Sequence, residues 1–94
     1  MKQIDLSNKV AIVTGGAGDI GAGIVMCLAE CNANVAIVDM NLEIAECKAK
    51  EITEKYGVVS KAYELDISRE EDVEDVFALI KNDFKDIDIL VNCA

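Results

Sequence analysis

Four short apolar runs rich in β-branched residues punctuate the chain, and between them apolar residues fall into three- and four-residue spacings. Lys9 to Thr14 (KVAIVT) is such a run and stops at a glycine cluster, the pattern of a buried parallel strand. From Ile20 to Cys31 the apolar side chains Ile20, Ile24, Cys27, Leu28 and Cys31 recur at helical spacing, which predicts an amphipathic helix closed by Asn32 to Asn34. Asn34 to Asp39 (NVAIVD) repeats the strand pattern. Leu42, Ala45, Ala49, Ile52 and Tyr56 then define a second helix ending at Gly57. Val58 to Leu65 reads as a third strand. Ser68 with Glu71 predicts a capping box ahead of a third helix whose stripe is Val73, Val76, Phe77, Ile80 and Phe84. Ile87 to Asn92 (IDILVN) is the fourth strand.

Strands alternating with helices of this length imply parallel pairing and right-handed crossovers. The expected fold is α/β, a Rossmann-type open parallel sheet of four strands and three helices. No proline, linker or internal repeat divides residues 1–94, so one partial dinucleotide-binding domain is expected. The sequence stops two residues after Asn92, from which the expectation is a sheet truncated after its fourth strand, with an apolar strand left at an unpaired edge.

Composition narrows the function classes. A net charge of −9 argues against a nucleic-acid footprint or attraction to anionic lipid. No apolar run approaches the roughly 18 residues that span a bilayer, and the start lacks a signal layout, so a cytoplasmic location is expected. The cysteines Cys27, Cys31, Cys47 and Cys93, with no histidine and no C-x-x-C pair, do not resemble a metal site and read as small packing residues.

The candidate chemistry lies between the first strand and the first helix. Gly16 to Gly21 satisfies G-x-G-x-x-G, in which glycines permit a tight turn, close approach to a pyrophosphate and close helix packing. The phosphates would meet the free N–H groups and positive dipole end of the helix. Asp39 ends the second strand, where a Rossmann domain places the carboxylate that accepts from the adenosine ribose. A 2′-phosphate there would face a like charge, and no Lys or Arg occurs between Lys9 and Lys48, so NAD is expected in preference to NADP.

Together these residues resemble the short-chain dehydrogenase/reductase family over nearly the whole chain. Thr14-Gly15-Gly16-Ala17-Gly18-Asp19-Ile20-Gly21 resembles its T-G-x-x-x-G-x-G loop, and Asp39 its ribose-binding acid. Asp66-Ile67-Ser68 resembles its adenine-side motif and Leu90-Val91-Asn92-Cys93-Ala94 the start of its L-V-N-N-A-G segment. The resemblance implies a cofactor site built from Gly15, Gly16, Gly18, Asp19, Ile20, Gly21, Asp39, Asp66, Ile67, Asn92, Cys93 and Ala94. It also implies that Thr14 ties the first and fourth strands together.

Two residues depart from the family pattern. Asp19 replaces the middle glycine, which places a charge near the pyrophosphate unless it turns back as a helix N-cap. Cys93 replaces the second asparagine. The family's catalytic Y-x-x-x-K pair has no match, since Tyr56 is followed four positions on by Ser60 and Tyr63 by Ile67. No catalytic residue is therefore assigned. The expected role is the NAD-binding portion of an oxidoreductase acting on alcohol or ketone groups, inactive alone, within a homo-oligomer or beside a carboxy-terminal half. The alternative is a non-catalytic module that binds a dinucleotide or completes a partner. A methyltransferase loop, which usually follows an acidic strand end, fits less well because Val13-Thr14 stand there.

Overall fold

In the computed structural model, which describes residues 4–93, the chain forms β1 (Val10–Thr14), α1 (Asp19–Glu30), β2 (Asn34–Asp39), α2 (Leu42–Tyr56), β3 (Ser60–Glu64), α3 (Glu70–Phe84) and β4 (Ile89–Asn92). The four strands make one sheet in the order β3-β2-β1-β4, and all three pairings are parallel. Ile12 pairs with both Ala36 and Leu90, so β1 is central and the chain order reverses on its two sides.

Alternate side chains of each strand serve opposite layers. Val13, Val35 and Ile37 point to one face and pack with Val25 and Ala29 of α1 and with Ala45, Ala49 and Ile52 of α2. Ile12, Ala36, Val38, Tyr63 and Leu65 point to the other, where Ile80 of α3 is buried against them. β1 and β2 are buried along both faces, which is why they read as unbroken apolar runs. β4 is an outer strand with Leu90 58% exposed.

The α1 stripe differs from the periodicity reading. Gly21, Val25 and Ala29 face the sheet, Ile24 and Leu28 flank them, and Ile20 is 77% exposed. Small side chains win the buried line because they let α1 lie close to β1, and the larger apolar residues fall to its flanks. Cys27 and Cys47 are exposed, Cys31 and Cys93 are half-buried, and of the four it is Cys93 that packs against the core, so the packing role expected of all four holds there. The strands are shorter than read at Lys9, at Val58, Val59 and Leu65, and at Ile87 and Asp88, although Lys9, Val59, Leu65 and Asp88 still share backbone hydrogen bonds with the neighbouring strands.

The expected Ser68 capping box is absent. Arg69 is the N-cap of α3 and makes no side-chain cap, because the Ser68 hydroxyl donates instead to Asp66 Oδ1 at 2.6 Å. α2 is capped by side chain and turn as its sequence suggests. Asn41 accepts from the Ile44 N–H at 3.2 Å, and Gly57 closes the helix in the left-handed region.

Candidate functional site

The carboxyl ends of β1, β2 and β4 open onto one side of the sheet, and the reversal of strand order about β1 leaves a crevice there. The glycine loop forms its floor. Gly15 takes φ 69°, which a side chain would strain, and its N–H donates to the Val38 carbonyl at 2.7 Å. The buried Gly16 donates to the same carbonyl at 3.3 Å. Gly18 is the N-cap of α1 without any side-chain cap, and Asp19 is the first helical residue.

The N-cap alternative for Asp19 is thereby corrected. Its exposed carboxylate stands at the opening of α1, and it is not among the non-glycine residues of positive φ, so aspartate occupies the family's glycine position without strain. The first backbone bond of α1 runs from the Ala22 N–H to the Gly18 carbonyl at 2.8 Å. The N–H groups of Asp19, Ile20 and Gly21 precede it and point from the helix end, the arrangement that receives an anion. Gly21 sits where a Cβ would run into the Gly15 carbonyl oxygen, so helix and loop approach closely only through glycine.

Asp39 closes β2, half-buried beside the loop. Its Oδ2 accepts from the Ala17 N–H at 3.1 Å and its Oδ1 from the Asn41 N–H at 3.0 Å. Each oxygen keeps a further lone pair for another donor. Asp39 does not cap the next helix, because Asn41 is the N-cap of α2.

A depression of about 360 Å³ lies beside Asp39, lined by Thr14, Gly15, Val38, Met40, Leu65 and Ile67. Its size and mostly apolar lining suit a flat heterocycle. Asp66 lines the adjoining groove, which shares Met40 and Leu65. The Ser68 hydroxyl and then the Ser68 N–H, at 2.6 and 3.0 Å, hold the Asp66 carboxyl below its ordinary value of 3.8. Met40, Val38 and Leu65 were not singled out from the sequence. Their signal was position at the carboxyl ends of adjacent strands.

On the far side of β1, the buried Thr14 hydroxyl donates to Asn92 Oδ1 at 2.7 Å, and the Cys93 N–H donates to the Thr14 carbonyl at 3.0 Å. These bonds tie the ends of β1 and β4 together as expected. Cys93 packs half-buried with Ala17 and Ile24 against the α1 side of the core. Ala94 lies outside the described residues. Of the expected site residues that are described, the glycine loop and Asp39 are directly bonded, Ile67 lines the same depression, and Asn92 and Cys93 meet Thr14 across the crevice. Among the described residues no three metal-ligating side chains come together.

Known proteins are similar to this chain in sequence and fold. The chain is 44% identical over 86 residues to a sorbose reductase of Candida albicans, covering 92% of this chain and 30% of that protein. Among solved structures it resembles an NAD+-bound xylitol dehydrogenase, with 35% identity, a TM-score of 0.86, and coverage of 90% of this chain and 32% of the other. It also resembles the L-sorbose reductase of Gluconobacter frateurii complexed with NADPH and L-sorbose, at 30% identity and a TM-score of 0.93, covering 99% of this chain and 35% of the other. The chain thus spans about a third of the length of these relatives. The family described as short chain dehydrogenase matches residues 9–94, and the chain belongs to it.

Proposed function

We propose that this chain is the NAD-binding portion of an oxidoreductase that acts on alcohol or ketone groups. The observation that carries the choice of cofactor is the Asp39 carboxylate, held at the loop by the Ala17 and Asn41 N–H groups with lone pairs left for ribose hydroxyls. In this reading the N–H groups of Asp19, Ile20 and Gly21 receive the pyrophosphate, the depression between Val38 and Ile67 takes the adenine, and Asn92 and Cys93 border the far side. The nicotinamide supplies hydride chemistry when bound, and this chain's residues bind and orient the dinucleotide.

A 2′-phosphate brought to Asp39 meets a carboxylate within a few ångströms with no cation among the residues lining the depression. With effective dielectric screening near a surface this costs about 2 kcal/mol, or roughly 30-fold in affinity. Calorimetric titration with NAD and NADP tests the proposal: NAD is expected to bind more tightly by about that factor. Equal affinity, or a preference for NADP, would remove Asp39 as the determinant. The relatives include both an NAD+-bound and an NADPH-bound structure, so family membership alone does not choose between them.

The second reading is a module completed by a partner. Leu90 on outer strand β4 is 58% exposed, and among the described residues β4 pairs with β1 alone, so its other edge faces away from the sheet, where a strand of a partner could add. A monomer on size exclusion at micromolar concentration would count against a second copy as that partner.

A further inference from the structure

The three successive N–H groups that open the glycine loop are all spoken for by the end of β2. Gly15 and Gly16 donate to the Val38 carbonyl at 2.7 and 3.3 Å, and Ala17 donates to Asp39 Oδ2 at 3.1 Å. Gly18 then turns back to the Gly15 carbonyl at 3.1 Å, and α1 begins at the next residue. Between the last bond to β2 and the first residue of the anion-receiving helix end lies only Gly18. Asp39 itself is fixed at the other oxygen by the Asn41 N–H at 3.0 Å, so the carboxylate is anchored to β2 and to the start of α2 while it grips the loop.

We infer that Asp39 is a positioning residue for the phosphate cradle: through the Ala17 N–H it latches the glycine loop in the shape that presents the Asp19, Ile20 and Gly21 N–H groups. This goes beyond acceptance of ribose hydroxyls, and it concerns a part of the ligand that Asp39 does not touch. A loop bearing glycine at 15, 16 and 18 has little conformational preference of its own, so the specific bonds to β2 select one conformer. The Val38 carbonyl bonds are part of the backbone and survive any substitution at 39, whereas the bond to Ala17 is the side chain's alone.

The latch and simple electrostatics differ in sign. If Asp39 acted on a bound phosphate only through its charge, removing the charge would tighten anion binding. If it acts as a latch, Asp39→Ala loosens the cradle and weakens anion binding although a repulsive charge is gone. Asp39→Asn separates the two, because its single amide oxygen can still accept from Ala17 while the charge is lost, although its NH2 then replaces the acceptor of the Asn41 N–H.

The latch rests on the dinucleotide-site reading for its ligand, but its first test needs no ligand. Amide hydrogen exchange at Ala17 is measured in the native protein, Asp39→Ala and Asp39→Asn. Loss of a charge-assisted bond is expected to speed Ala17 exchange by roughly tenfold or more in Asp39→Ala. Asp39→Asn, which keeps a neutral acceptor for Ala17 but loses the Asn41 bond, is expected to fall between native and Asp39→Ala. The second test is titration with inorganic pyrophosphate, which lacks ribose, and the expected order of affinity is Asp39→Asn, native, Asp39→Ala.

Unchanged Ala17 exchange in Asp39→Ala overturns the latch. Faster exchange with tighter pyrophosphate binding overturns its bearing on the phosphate site. If native protein shows the latch by exchange and binds pyrophosphate yet does not bind NAD, the dinucleotide reading fails and the latch stands. In the native protein alone, where no variant's folding matters, the bonded Ala17 amide is expected to exchange more slowly than the Ile20 amide at the open end of α1. Equal exchange at the two amides would contradict the bond.

Discussion

Gly21 and Gly23 lie two residues apart in α1, and replacing each by alanine should move stability in opposite directions. A Cβ on Gly23 meets nothing within 4 Å, so Gly23→Ala gains only the helix preference of alanine over glycine, about 1 kcal/mol. At Gly21 the same gain is opposed by a collision with the Gly15 carbonyl oxygen, carbonyl carbon and the Gly16 Cα, all of them backbone. Overpacking typically costs about 1 to 3 kcal/mol, and with no side chain able to rotate away the upper end applies. The net expectation is a loss of about 2 kcal/mol for Gly21→Ala and a gain of about 1 kcal/mol for Gly23→Ala.

Urea unfolding followed by far-ultraviolet circular dichroism measures both. With a slope of about 1 to 2 kcal/mol per molar urea, the two midpoints should differ by roughly 1.5 to 3 M. The collision also pushes on Gly15 and so on the loop, and Gly21→Ala is expected to lose NAD affinity while Gly23→Ala keeps it. If Gly21→Ala were as stable as Gly23→Ala, the close approach of α1 to the loop would be wrong, and with it the register of the helix.

Three further outcomes follow from individual bonds. The Tyr63 hydroxyl donates to Asp83 Oδ2 at 2.7 Å, and burial first, then that bond and the Asp83 charge, push its pKa above the ordinary 10.0. A raised folded-state pKa stabilises fully below pH 10 and is lost as pH rises beyond it. Unfolding free energy should therefore decline above pH 10, with a smaller decline in Tyr63→Phe, which itself costs about 1 kcal/mol at neutral pH. Thr14→Val removes the hydroxyl bond to Asn92 and should cost about 1 kcal/mol, with faster exchange at the Cys93 amide as the local readout. Ser68→Ala removes the larger cause of the depressed Asp66 pKa, and a carboxyl-carbon titration should show it rising toward 3.8.

Much of this architecture was legible in the chain because short-range patterns and tertiary demands coincide. β1 and β2 are buried on both faces and appear as unbroken apolar runs, and α2 runs from Leu42 to Tyr56, where its stripe and Gly57 place it. The α1 stripe was misread because hydrophobicity weights Ile20 and Cys27 above Gly21 and Ala29, whereas a close helix-sheet approach rewards small volume. The Ser68 capping box failed for a local reason: the Asp66 carboxylate is two residues away and accepts the hydroxyl that would have served α3.

The candidate site was proposed from the sequence as a set of residues, and the bonds among them come from the fold. The spacing of the glycines and the position of Asp39 located the crevice. The Ala17 to Asp39 bond joins residues 22 apart and depends on how β1 and β2 pair, which no local pattern encodes. Met40 and Leu65 became lining residues for the same reason, as neighbours across strand ends.

The central claim, that the carboxyl ends of β1, β2 and β4 hold a dinucleotide with its ribose at Asp39, is tested most directly by amide chemical-shift mapping as NAD is added. The account predicts shifts concentrated at Gly15 to Gly21, Asp39, Met40, Asp66 and Ile67, with Asp19 to Gly21 moving most as their free N–H groups take up the pyrophosphate. Shifts confined to residues outside that set, or no shift within it as NAD is added, would contradict it.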